Sequence, residues 1–211
     1  MHYTFDDIKE FDFKYRLNLI NSVTGIKPAN LIGSISESGN PNLAIFSSIV
    51  HLGSDPPLLG FIMRPHGEVP RNTYENIKQT EYYTINHVHA EFYERAHYTS
   101  AKFAADVSEF DACRLAEEYL FDFKAPFVKE SQLKMGMRLV DEIPISLNDT
   151  TMIIGRIEHL VVDDTAVNER GRIDLESLKD VGLSGLNRYY KLTKLDELPY
   201  ARVEEIPDFK S

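Results

Sequence analysis

The stretch that decides the fold lies between residues 42 and 61. It reads Asn42-Leu43-Ala44-Ile45-Phe46-Ser47-Ser48-Ile49-Val50 and then Ser54-Asp55-Pro56-Pro57-Leu58-Leu59-Gly60-Phe61. The first half is apolar and rich in residues that suit a pleated surface, so it predicts extended structure over 42–50. The Pro-Pro pair forces a rigid corner, because each proline restricts the residue before it. The apolar run 58–63 behind that corner predicts a short buried strand. Upstream, 31–36 reads as a strand and Ser38-Gly39-Asn40-Pro41 as a turn, which makes 31–50 a hairpin.

The same reading extends outward. Residues 82–88, 133–140 and 151–162 predict further strands, and Gly155 inside the last marks a bulge or a close backbone approach. Helical character falls on 73–80, 90–97 and 111–120. Residues 1–26 form a lead-in in which Phe5, Phe11, Phe13, Tyr15, Leu17 and Leu19 stand mostly two apart, which predicts an extended piece packing on the body. The division expected is thus an N-terminal extension, 1–26, and one domain, 27–211. The strands do not alternate with long helices, so a doubly wound parallel sheet is not expected. The prediction is a mainly β, antiparallel barrel with peripheral helices.

Composition bounds the function. The chain has 211 residues, 43% hydrophobic and 27% charged, enough to build one substantial core. Its 23 Lys and Arg against 33 Asp and Glu give a net charge of −10. That balance repels phosphate backbones, so nucleic acid is not expected as a partner, although one cleft can still be basic. There is no polybasic patch for a membrane and no apolar run near the roughly 20 residues of a membrane helix. Cys113 is the single cysteine, which excludes an internal disulfide and fits a reducing compartment. A polar N-terminus without an apolar signal core completes the expectation of a soluble, cytoplasmic protein.

The chemical motifs are few. No GxGxxG, Walker-type loop, HExxH or GxSxG occurs. His87, His89 and His97, with Glu91 and Glu94 between them, superficially resemble a metal cluster but match no standard ligand spacing, so solvated surface histidines are the default. More informative are Arg64 and Arg71, seven residues apart across a Pro- and Gly-containing loop, with Asn72-Thr73 opening a helix. A helix start offers free N–H groups and a favourable dipole to an anion. Equally, Asn72 or Thr73 can simply cap that helix, and the two arginines can be surface cations.

Taken in order, these residues resemble the flavin reductase-like family, whose domain is a Greek-key, FMN-binding split β-barrel. The resemblance rests on Asn42-Leu43-Ala44, Ser47-Ser48, Ser54-Asp55-Pro56-Pro57-Leu58, Arg64, Arg71-Asn72-Thr73 with Asn76-Ile77, and Ile85-Asn86. Ser108-Glu109-Phe110, Ile154-Gly155, Val162-Asp163-Asp164, and Gly185 with Tyr189 continue it, so that it spans roughly 25–195. Three departures stand out. Gly185 is followed by Leu186 where two glycines are common, no cysteine lies near Met135, and Arg71-Asn72 replaces the commoner basic-Asp pair.

The resemblance implies an FMN-dependent oxidoreductase, with FAD possible in place of FMN and NADH or NADPH as the electron donor. It implies that Arg64, Arg71 and Thr73 hold the phosphate, where an arginine fork gives charge-assisted bonds, with Asn72 beside them in the cofactor site. Ser47 and Ser48 would meet the ribityl chain and the polar ring edge, and Ile49 and Val50 would lie against the ring. Asn86 and Ser100 are further polar contacts. No side-chain acid or base is needed for hydride transfer to a flavin, so no catalytic residue and no metal ligand is expected. The family implies a homodimer with FMN between subunits, and the apolar segment 115–127 offers surface for one. A non-catalytic FMN-binding electron carrier, flavoredoxin-like and served by a partner reductase, is the alternative.

Overall fold

The computed structural model describes residues 1–65, 71–104 and 107–209. Two short helices lead in, α1 (Phe5–Glu10) and α2 (Phe13–Ser22). The strands β1 (Lys27–Pro28), β2 (Asn30–Ile35), β3 (Pro41–Phe46), β4 (Val50–Ser54) and β5 (Pro57–Met63) follow. Next come α3 (Asn72–Thr80), β6 (Tyr82–His87), α4 (Tyr93–Tyr98) and α5 (Glu109–Ala112). The chain continues with β7 (Glu117–Glu118), β8 (Phe127–Val128), β9 (Leu133–Ile145) and β10 (Thr150–Val162), and ends with β11 (Val181–Ser184) and β12 (Arg188–Lys191).

Seven strands pair antiparallel in the order β3-β2-β6-β9-β10-β5-β4. The two edge strands of this sheet, β3 and β4, are consecutive in the chain and joined by only residues 47–49. The sheet therefore curls far enough to bring the end of β3 to the start of β4, as in a split barrel. Alternation along each strand divides the side chains between two cores. Ile32, Phe61, Met63, Tyr83, Ile85, Met135, Met137 and Ile153 fill the interior, and Ile77 of α3 plugs it. Leu31 and Leu43 on the outer face pack with Phe92, Ala96, Phe110, Val128 and Leu183. A small sheet, β1-β11-β12, and the ribbon β7-β8 complete the body.

Glu109 bridges the two layers. Its buried carboxylate accepts the Leu43 N–H at 3.0 Å, so a side chain covers part of an otherwise open strand edge. Burial raises its pKa.

The bulge expected at Gly155 is present: the β9–β10 register shifts between Ile154 and Gly155. A Cβ there would collide with the phenol of Tyr83, which is fully buried and whose hydroxyl has no partner among the described residues. Desolvation raises the pKa of that phenol.

Four expectations are corrected. The lead-in is helical rather than extended. Thr4 and Asp7 form a reciprocal capping box, and the Asp12 side chain accepts the N–H groups of Lys14 and Tyr15. Caps, not the spacing of the aromatics, decide that segment. The helix expected over 111–120 is only α5, because Arg114 adopts a left-handed φ of 55° and the chain then turns into β7. The helix expected from 90 begins at Tyr93, since His89 bridges Asp180 and the Ala90 N–H donates to the Lys179 carbonyl. Segment 115–127 offers little free surface: Leu115, Phe123 and Phe127 are buried, leaving Tyr119 and Phe121 exposed.

Candidate functional site

The link between the two barrel edges leaves its backbone donors open. Among the described residues, none of the N–H groups of Ser47, Ser48 and Ile49 finds a partner within the chain. Three consecutive donors left open are a ready set for an acceptor-rich ligand. The Ser48 hydroxyl is committed elsewhere. It accepts the Ile62 N–H at 3.0 Å and faces the Ile62 carbonyl at 3.4 Å, pinning the link to β5. Ile49 packs against the barrel core, whereas Val50 turns outward on β4 and is exposed. Phe46, just before the link, stands edge-on to Phe61, which in turn meets Tyr83.

Cations gather beside this link. β5 runs past Ile62 to the exposed Arg64. Lys27 lies close enough to feel the Arg64 charge: burial first, then that charge, lowers the pKa of its ammonium. The Lys27 Nζ donates to the carbonyls of Asn21 and Gly185, each at 3.1 Å. Among the described residues no carboxylate pairs with Lys27 or Arg64.

The start of α3 forms a third part. Its N-cap residue is Arg71 and no side chain caps it, so neither Asn72 nor Thr73 takes that role. Asn72 is the half-buried first residue of the helix. Thr73 is buried, and its Oγ1 accepts from the Asn42 amide at 2.9 Å. Asn42 and Asn76 both donate to Ser34, which ties the helix start to the β2–β3 hairpin. The Thr73 hydroxyl proton finds no acceptor among the described residues. Arg71 reaches back to the Pro65 carbonyl at 3.4 Å. The rest of the Pro- and Gly-containing loop, 66–70, lies outside the described residues.

Two expected contacts are not brought to this site. Asn86 is wholly buried on the outer face. It donates to the Leu31 carbonyl and the Thr84 hydroxyl and accepts the Val128 N–H, so its carboxamide is spent on joining β6 to β2 and β8. Ser100 is exposed beyond α4 and donates to the His97 carbonyl. The histidines are not solvated either. His87 Nδ1 lies 2.6 Å from the buried Asp180 carboxylate, and His89 is buried against Phe92 with its Nδ1 accepting the Glu91 N–H. His97 meets the Tyr189 hydroxyl at 3.1 Å, and burial pushes that phenol up to about 12. Among the described residues no three potential ligands converge on a metal position.

A cleft of about 440 Å³ opens between α2 and the β11–β12 turn. Tyr15, Asn18 and Ser22 form one wall, and Gly185, Asn187 and Arg188 the other. Gly185 has φ 64° and lies against Ser22, so the turn needs glycine both for its backbone angle and for its clearance. Through Gly185, the Lys27 ammonium fastens this cleft to the cationic ground beside Arg64.

Residues 26–176 match the flavin reductase like domain. The chain belongs to that family. A protein from Shewanella frigidimarina, described as a flavin reductase with a split barrel domain, is 50% identical. Its structure superposes with a TM-score of 0.92 over 95% of this chain and 100% of its own. Nitrilotriacetate monooxygenase component B from Bacillus cereus shares the fold at 23% identity, with a TM-score of 0.81 over 94% of this chain and 98% of that one. Flavoredoxin of Desulfovibrio vulgaris shares it at 20% identity, with a TM-score of 0.72 over 84% and 92%.

The residues that match the family thus begin just after the N-terminal helices. Reasoning on the sequence missed Lys27, Asn42 and Gly185 as parts of the site. Asn42 and Gly185 stood in the ordered set that carried the resemblance, whereas Lys27 carried no motif. Its place is fixed by long-range contacts to residues 21 and 185. Among the described residues no helix is long and apolar enough to cross a membrane.

Proposed function

We propose that this flavin reductase-like chain binds FMN at the link between the barrel edges and works as an NADH- or NADPH-dependent oxidoreductase. The observation that carries the reading is the run of N–H donors at Ser47, Ser48 and Ile49, which find no acceptor among the described residues and are flanked by cations that pair with no carboxylate among those residues. These residues suit a flavin. Open amides meet the electron-rich edge of the ring, where negative charge develops on reduction. The Arg64 guanidinium, Arg71 and the open proton of Thr73 suit a dianionic phosphate. FAD carries the same ring and remains the second flavin to try.

When bound, the flavin supplies two-electron chemistry by accepting and releasing hydride. The protein's part is to hold and tune. The Ser48–Ile62 bonds fix the link so that its amides stay aimed, and Asn42 fixes the Thr73 hydroxyl. Ile49 and Phe46 shield the barrel side from water. No step needs a protein acid or base.

A homodimer is part of the reading. Val50 and Leu52 on the edge strand β4 are each 41% exposed, and Leu195, Leu198, Tyr200, Val203, Ile206 and Phe209 stand exposed on the C-terminal arm. Such surface suits a second copy. The deciding experiment is to load the purified protein with FMN, confirm binding by flavin fluorescence, and follow NADH and NADPH oxidation without a partner. Turnover supports the reductase. Tight FMN binding with no turnover selects the electron carrier, and failure to bind either flavin removes both.

A further inference from the structure

The geometry points to a second recognition element: the cleft between α2 and the β11–β12 turn receives the anionic group of the small molecule that meets the flavin, and Arg188 selects for it. This rests on the flavin reading above and names the chemistry of the second ligand.

The cleft volume, about 440 Å³, lies within the roughly 300–1,000 Å³ range of small-molecule pockets. Among the described residues no Asp or Glu lines it, although the chain carries a net charge of −10. The Arg188 side chain is exposed there, and its guanidinium makes no ion pair or hydrogen bond with another described residue. Lys27 holds the Gly185 wall from behind, with Arg64 next along. In a strongly acidic protein, a cleft lined by Arg188, with Lys27 bonded to its Gly185 wall and no acid among its described lining residues, is a local field for an anion. The rest of the lining completes the specification. The ring of Tyr15 offers a flat apolar face, and the amides of Asn18 and Asn187 offer donors and acceptors at its rim. The ligand that fits is a small planar molecule carrying one carboxylate or phosphate.

The carboxylate of an aromatic acceptor and the phosphate of a reduced nicotinamide nucleotide present the same chemistry, and the experiment separates them. Calorimetric titrations use the full chain, with and without FMN, and three probes: benzoate, reduced nicotinamide mononucleotide and uncharged benzamide. At least one anion is expected to bind with saturation, benzamide roughly tenfold or more weakly, and Arg188→Gln to lose roughly tenfold or more for the anion, the scale of a charge-assisted contact. Arg188→Lys should recover part of the loss. FMN affinity, read by flavin fluorescence, should be the same in Arg188→Gln and the parent chain. Tighter benzoate identifies a carboxylate ligand, and tighter mononucleotide a phosphate one. No saturable binding of either anion to the FMN-loaded protein overturns the inference, as does equal binding of benzamide or an unchanged Arg188→Gln. If FMN itself does not bind, the flavin reading fails, and the titration of the flavin-free chain still decides whether the cleft takes anions.

Discussion

Replacing Ser48 with alanine should open the barrel seam without removing any of the open amides of residues 47–49. The Ser48 hydroxyl makes one good hydrogen bond, from the Ile62 N–H at 3.0 Å, and a long one to the Ile62 carbonyl at 3.4 Å. Only the first has the geometry of a full bond. Its loss orphans a backbone donor, which costs about 1–3 kcal/mol when fully buried. Ser48 and Ile62 are half-buried, so water recovers part of that and about 1–2 kcal/mol is expected. Ser47→Ala is the internal control. That hydroxyl touches no other described residue, so its removal should stay within about 0.5 kcal/mol. Urea unfolding of the flavin-free chains reads the difference. With a slope of about 2 kcal/mol/M, Ser48→Ala lowers the midpoint by roughly 0.5–1 M while Ser47→Ala barely moves it. Coincident midpoints for the two variants would refute the pinning role of Ser48.

The remaining predictions concern other parts of the molecule. Arg64→Ala should weaken FMN binding roughly tenfold or more, through loss of a charge-assisted contact, as read by flavin fluorescence; an unchanged affinity removes Arg64 from the phosphate site. Gly155→Ala should destabilise by about 1–3 kcal/mol through overpacking against Tyr83, and Tyr83→Phe in the same chain should restore part of it, both checked by thermal melting. Glu109 has its pKa raised in the folded state, so its favourable contribution is greatest at low pH and fades as pH climbs from the ordinary value of 4.5 through the raised one. The stability of the parent chain relative to Glu109→Gln should therefore fall over that window, and a pH-independent difference in urea midpoints would contradict the assignment.

The barrel was readable because its strands carry their own signals. The turn at Ser38-Gly39-Asn40-Pro41, the Pro-Pro corner and the Ile/Val density of 150–162 are local features, and each matched an element. The N-terminal helices were equally local, yet their signal lay in Thr4, Asp7 and Asp12 rather than in the aromatic spacing that drew attention first. At the site, Ser47, Ser48, Ile49 and Arg64 were legible as a neighbourhood because the chain brings them together through one short hairpin. Their division of labour was not. Whether a serine hydroxyl faces a ligand or a strand, and whether Asn86 points in or out, depends on pairing register, which single residues do not encode. Lys27 and Gly185 were invisible as partners because 158 residues separate them.

The placement of the three-residue link has a mechanical corollary. A guest gripping residues 47–49 clasps the first and last rungs of the seven-stranded ladder at the same moment, so its departure and the parting of the seam become one motion. Occupancy should then act as a clasp, raising the melting point with guest concentration by mass action. A protease nick at this crossing should release guest and seam together.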